Sequence, residues 1–121
     1  MKIDMTPQMP RATSHAIFVV VPRFNITTLI TMIETMRIAN YLAPDPLFSW
    51  DIVSFDGADV VASNGMATTV ATDPDALPPA DFVFVLGSWG TEHYGNRTLT
   101  AWLRKPVLAA LEAPRLRPVA A

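Results

Sequence analysis

Hydrophobic positions along the chain change period several times. Ala16–Val21 is apolar at every position and rich in β-branched residues. Such a run suits a strand covered on both faces, as in parallel sheets, and Pro22 ends it. From Ile26 to Tyr41 the spacing becomes helical: Ile26, Ile30 and Ile33, and Leu29, Ile33 and Met36, lie three or four apart. Asn25 or Thr27 offers the N-cap, and Glu34 and Arg37, one turn apart, are placed to pair. Phe48–Phe55 alternates, with Phe48, Trp50 and Ile52 on one side and Ser49, Asp51 and Val53 mostly on the other, which predicts a second strand. Asp56-Gly57 marks a turn. Val60–Ser63 and Ala67–Ala71 flank Asn64-Gly65, the signature of a hairpin with a type I′ turn.

Thr72–Asp81 carries three prolines and reads as a loop. Phe82–Leu86 is a second wholly apolar strand, running into Gly87-Ser88-Trp89-Gly90. Leu99, Trp102 and Leu103 give Asn96–Arg104 helical spacing. After Lys105 the chain turns to Pro, Ala, Leu and Arg without a period or a cap. A strand leading into a helix opens a βαβ unit, so the pattern as a whole predicts α/β architecture.

Composition narrows the function more than the fold. At 121 residues the chain is one domain or less, and with half its residues hydrophobic and 17% charged it is globular in character. Eleven prolines cluster in the head, middle and tail. The net charge of −2 and scattered basic residues argue against direct binding to nucleic acid. With no cysteine there is no disulfide, thiolate nucleophile or Cys-based zinc site. The first ten residues lack the apolar run of a signal peptide, and Ala16–Val21 is too short to span a bilayer. A cytoplasmic protein without membrane contact is expected.

Candidate chemistry centres on the glycine turn after Leu86. Ligands of open α/β sheets bind at the carboxyl ends of the strands, where glycines let backbone N–H groups approach an anion. Ser88 does not complete a nucleophile elbow: Gly90 fits, but Leu86 stands where the first glycine belongs, and His93 is the only histidine downstream. His15 and the Glu92-His93 pair lack metal-ligand spacing and read as surface polar residues. Met32 and Met36 read as core filler, and Trp89 as either a stacking platform or an interface residue. No catalytic residue, metal site or cofactor is expected.

Several spaced motifs coincide with one pattern. Pro22-Arg23-Phe24 follows the first strand. The helix closes on Glu34-Thr35-Met36-Arg37-Ile38-Ala39-Asn40, an E-x-x-R-x-A-N stretch. Trp50 opens the second strand, and Ser54-Phe55-Asp56-Gly57 follows it. Ala62-Ser63-Asn64-Gly65, Val85-Leu86-Gly87 with Gly90, and Trp102-Leu103 complete the series. Over Ala16–Arg104 the chain resembles the N-terminal domain of GlxA-type AraC-family transcription regulators, a PfpI-type domain of the class I glutamine-amidotransferase-like superfamily. The resemblance implies a sensor domain, often dimeric, that binds a small-molecule metabolite effector. DNA is then reached through a C-terminal pair of helix-turn-helix motifs. Enzymes of the superfamily carry an acidic residue early in the first helix, and the matching position here is Thr28.

From Pro106 the resemblance ceases, and an Ala/Pro/Arg/Leu tail is what a shifted reading frame in GC-rich DNA would give. The expectation is therefore a truncated or frameshifted regulator: a flexible lead-in over 1–15, the N-terminal part of the PfpI-like domain over 16–104 and a divergent tail over 105–121. The fold class is α/β, a partial three-layer flavodoxin-like domain with a mostly parallel sheet and a small edge hairpin. Ala16–Val21 and Phe82–Leu86 are expected at its centre. An open sheet edge and uncovered apolar surface would lower stability or favour self-association. The leading function is ligand sensing and homodimerisation for a regulator whose DNA-binding domain is missing from the chain. The alternatives are a fragment of a PfpI-like hydrolase or hydratase and a stand-alone dimerisation module. Thr28, Asn64, Gly87, Ser88 and Trp89 are the expected ligand-binding positions.

Overall fold

The computed structural model describes residues 14–70, 76–88, 100–101, 104–105 and 108–112. Their elements run β1 (Ser14–Val20), α1 (Ile26–Leu42), β2 (Phe48–Val53), β3 (Val60–Val61), β4 (Ala67–Thr68), β5 (Phe82–Leu86) and α2 (Leu108–Glu112). The fold is α/β: a parallel three-stranded sheet in the order β2-β1-β5 and a small antiparallel β3-β4 hairpin.

β1 is central because it pairs with both β2 and β5, and both of its faces are apolar. Ala16, Phe18 and Val20 point to a core shared with Phe24 and Leu29 of the α1 side, with Val60, Ala62 and Leu86. Ile17 and Val19 point the other way, to Val53, Ala80 and Ala110. The two-residue period of the strand thus feeds two separate cores. Phe18 is wholly buried and stacks on Phe84 at 5.4 Å between ring centroids. Burial of a side chain of that size contributes about 2–3 kcal/mol.

α1 starts where Asn25 caps it, the Asn25 side-chain oxygen accepting the Thr27 N–H at 3.0 Å. It ends as the Ala43 N–H donates to the Ala39 carbonyl, just before Pro44. Leu29 is buried, and Ile26, Met32, Ile33 and Met36 pack beside it. Ile30, expected on the same face, is instead 49% exposed. Its position lies one residue, about 100°, round from Leu29. Glu34 and Arg37 form the expected pair, with Arg37 Nε donating to one carboxylate oxygen and Nη2 to the other at 2.9 and 2.6 Å. Asn40 joins the end of α1 to the start of β2. Its Nδ2 donates to the Phe48 carbonyl, and its Oδ1 accepts the N–H groups of Leu47 and Phe48, each at 2.8 Å.

Four sequence-based expectations need correction. β1 begins at Ser14, two residues before the apolar run, and His15 is a buried member of it rather than a surface residue. Four long-range hydrogen bonds hold it there, as described below. β5 is an outer strand among the described residues, not a central one: it pairs with β1 alone, and Phe82 and Val85 are 46% and 43% exposed. An apolar run records what a strand can bury, whereas its place in the sheet depends on which neighbours pair with it.

The hairpin turn is not type I′, which needs positive φ at both central residues. Only Gly65 adopts it, at φ 89°, while Asn64 does not. The Gly65 N–H donates to the Ala62 carbonyl and the Ala62 N–H to the Met66 carbonyl. Asn64 Oδ1 accepts the Met66 N–H at 3.0 Å. Ser63-Asn64-Gly65 is thus a three-residue loop ending on a left-handed glycine, a common hairpin alternative. Finally, the segment after Lys105 contains α2, for which the sequence showed no period. Ala110 is buried in the second core, and its carbonyl accepts the Ala80 N–H at 2.9 Å. The expected helix over 96–104 lies mostly outside the described residues.

Candidate functional site

Three chain segments meet at the carboxyl end of the sheet, and backbone hydrogen bonds fix them to one another. The Val21 N–H donates to the Leu86 carbonyl at 3.1 Å, aligning the ends of β1 and β5. The Asn25 N–H reaches the Gly87 carbonyl at 3.4 Å, which sets Gly87 against the N-cap of α1. The hairpin closes on the same loop, as Arg23 N–H donates to Val61 C=O and Ser63 N–H to Phe24 C=O, both at 2.9 Å.

The loop after β1 bends sharply because Phe24 must enter the core two residues after Pro22. Arg23 accommodates the bend at φ 68°, the only described non-glycine residue with positive φ. That conformation costs on the order of 1–2 kcal/mol for an L-residue. The bonds from Arg23 to Val61 and from Phe24 to Val21 oppose it. Sequence reasoning singled out glycines as left-handed positions and missed Arg23, for which no local signal existed.

The expected ligand positions are distributed around this end as follows. Thr28 is exposed in the first turn of α1. Asn64 is exposed in the hairpin loop, with its side-chain oxygen engaged by Met66. Gly87 and Ser88 are half-buried where β5 ends. Trp89 lies outside the described residues, as do Gly90, Glu92 and His93. Thr28, Asn64, Gly87 and Ser88 therefore belong to three segments that the backbone bonds tie together. A cavity of about 320 Å³ lies elsewhere, along the flank of α1, lined by Thr31, Met32, Thr35, Met36, Ala39 and Phe48. Met32 and Met36 thus fill the core and also wall this apolar groove.

A polar cluster occupies the amino end of the sheet. His15 Nδ1 lies 2.6 Å from Ser49 Oγ, and its Nε2 lies 2.8 Å from Asp51 Oδ2. The His15 N–H donates to Asp81 Oδ2 at 2.8 Å, and the Asp81 N–H returns a bond to the His15 carbonyl. Parallel register places His15 beside Ser49, and alternation carries Asp51 to the same face. Both ring nitrogens are satisfied: the Ser49 hydroxyl can donate or accept while the other nitrogen faces the carboxylate. The cluster accommodates a buried imidazole at the end of the sheet away from the glycine turn. Among the described residues no three His, Asp or Glu side chains converge as metal ligands.

The ion pair on α1 perturbs both of its members. The hydrogen bonds and charge of Arg37 hold the Glu34 carboxyl below its ordinary value, and Glu34 correspondingly raises Arg37. No helix among the described residues is long and apolar enough to cross a membrane.

The class these features define is a parallel α/β domain with the helix-flanked sheet of flavodoxin-like folds. Its relatives are helix-turn-helix transcription regulators. The chain is 32% identical over 88 residues to the HTH-type transcriptional regulator CdhR of Pseudomonas aeruginosa, a match covering 73% of this chain and 26% of CdhR. It is 31% identical over 87 residues to the HTH-type transcriptional regulator GbdR of the same species, covering 72% of this chain and 24% of GbdR. The chain thus spans about a quarter of the length of the curated relatives it matches.

Two solved structures share the fold. An AraC family transcriptional regulator from Pseudomonas putida superposes with a TM-score of 0.57 at 22% identity, over 64% of this chain and 42% of that one. A transcriptional regulator protein from Vibrio parahaemolyticus gives 0.58 at 15% identity, over 78% and 52%. No family model matches the chain.

Proposed function

We propose that this chain is the effector-sensing and dimerising part of an AraC-family transcription regulator of the GlxA type, built on a PfpI-type, amidotransferase-like domain. The observation that carries the proposal is the similarity to two HTH-type regulators over nearly three quarters of the chain. In this reading a small-molecule metabolite binds at the carboxyl end of the sheet, against Thr28, Asn64, Gly87, Ser88 and Trp89. The convergence of three loops there supports it, because ligands of open α/β sheets bind outside the carboxyl ends of the strands. DNA is contacted through a helix-turn-helix domain outside these 121 residues, which agrees with a net charge of −2. The protein acts in the cytoplasm as a regulator and not as a hydrolase, in keeping with relatives that are regulators.

The test is a thermal-shift screen of the chain against small metabolites, followed by amide chemical-shift mapping of each hit. The expected result is a ligand whose shifts fall on residues 25–28, 62–65 and 86–88, and whose affinity drops at least about tenfold in Asn64→Ala or Thr28→Trp. Shifts confined to the α1 groove around Thr35 and Phe48 would refute the placement of the site.

A further inference from the structure

Helix α1 presents a second face that the core does not use. Ile30, Glu34, Arg37 and Tyr41 follow one another at intervals of four, three and four residues. At about 100° per residue they fall in a stripe roughly 60° wide, the spacing of a coiled-coil seam. All four are open to solvent: Ile30 is 49% and Tyr41 83% exposed, and the side chains of Glu34 and Arg37 are 47% and 56% exposed. Ile38, also 49% exposed, lies beside the stripe.

The order of residues along this stripe has a symmetry. Glu34 and Arg37 stand equally far from a point between Thr35 and Met36, and so do Ile30 and Tyr41. A twofold axis through that point, perpendicular to the helix, lays a second α1 antiparallel on the first. It sets Ile30 of each copy against Tyr41 of the other, and Glu34 against Arg37. The charges are opposite in both inner pairs, and the outer pairs are apolar. A parallel arrangement would instead set glutamate against glutamate and arginine against arginine. The stripe is therefore self-complementary in one orientation only, the property an isologous interface requires.

We propose that the Ile30–Glu34–Arg37–Tyr41 face of α1 is an antiparallel homodimer surface whose partner is a second copy of this chain. It gives the dimer of the preceding reading a location and rests on that reading only for its biological setting. The seam itself is formed by α1 alone. On association Glu34 and Arg37, now bonded within one helix, gain a second opposite charge across the axis. The seam runs over twelve residues, about 16 Å of one helix, and a single strip of that length buries less than the roughly 800 Å² per partner of a stable complex. Association through this surface alone is accordingly weak and reversible, with Kd on the order of 10⁻⁵–10⁻⁴ M.

Sedimentation velocity on the full chain from about 10 µM to about 1 mM tests this at a working range set by that affinity. The wild-type chain is expected to pass from monomer to dimer. Glu34→Arg and Arg37→Glu should each weaken dimerisation at least about tenfold, because each places like charges across the axis. The decisive arm mixes the two variants: one seam is then wholly basic and the other wholly acidic, and a heterodimer should form. The double reversal Glu34→Arg/Arg37→Glu should restore the homodimer. Circular dichroism of each variant confirms the fold before the centrifuge run. A wild-type chain that stays monomeric at 1 mM overturns the proposal, as does a dimer indifferent to both reversals, or variants that fail to pair when mixed. None of these results bears on effector binding at the end of the sheet, which the thermal-shift screen tests separately.

Discussion

Replacing Asn40 by alanine removes the clasp between α1 and β2. Three bonds are lost: one from Nδ2 to the Phe48 carbonyl and two accepted by Oδ1 from Leu47 and Phe48. The Leu47 N–H is exposed, so water can take the place of Asn40 there and the loss is about 0.5 kcal/mol. The Phe48 groups are half-buried at the start of an edge strand and are less readily solvated, at about 1 kcal/mol each. The variant should therefore be less stable by about 2–3 kcal/mol, a large share of the total for a domain of this size. In a thermal scan the loss corresponds to roughly 8–12 °C. Asn40→Asp keeps both accepted bonds but sets a carboxylate against the Phe48 carbonyl, and should fall between alanine and wild type. Urea titration followed by circular dichroism measures both, with the midpoint moving and the slope m unchanged. A loss below about 0.5 kcal/mol for Asn40→Ala would refute the reasoning and point to a role for this asparagine outside the fold.

Three further outcomes follow from particular side chains. Phe18→Ala should cost about 3–5 kcal/mol by opening a cavity in the α1-side core and removing the stack on Phe84, and should leave the chain largely unfolded by near-UV circular dichroism. Gly65→Ala should cost about 1–2 kcal/mol in a urea titration. Nothing lies within 4 Å of the added methyl, so the penalty is that of φ 89° alone, and a neutral result would contradict the turn geometry. Glu34 should titrate below its ordinary 4.5 by carboxyl NMR and return toward it in Arg37→Gln. Because the folded-state value is depressed, the stability from this pair is present above the ordinary value and lost as pH falls through the depressed one.

The motif residues that carried the family resemblance have structural work to do. In the E-x-x-R-x-A-N stretch, Glu34 and Arg37 bind each other on the surface, the Ala39 carbonyl closes the helix and Asn40 clasps β2. In A-S-N-G, Asn64 and Gly65 shape one loop. Resemblance carried by such residues is informative about fold, and the α/β fold with its mostly parallel sheet is what the structure shows. The ligand positions stand apart: the segments that carry Thr28, Asn64 and Gly87 are tied together only through the bonds from Asn25 to Gly87 and from Ser63 to Phe24.

Local chemistry by itself determined the apolar strands at 16–21 and 82–86, the helix from Ile26 with its cap at Asn25 or Thr27, the Glu34–Arg37 pair and the turns at Gly57 and Gly65. Each rests on a period or on contacts between residues a few positions apart, and sequence order records those directly. Tertiary structure decided the rest. It placed β1 between β2 and β5, turned Arg23 left-handed so that Phe24 could enter the core, and packed Ala110 beneath Ala80. It also buried His15 against Ser49, Asp51 and Asp81, partners 34, 36 and 66 residues away. A lone histidine carries no periodic signal, and its burial is favourable only once distant strands have supplied those partners.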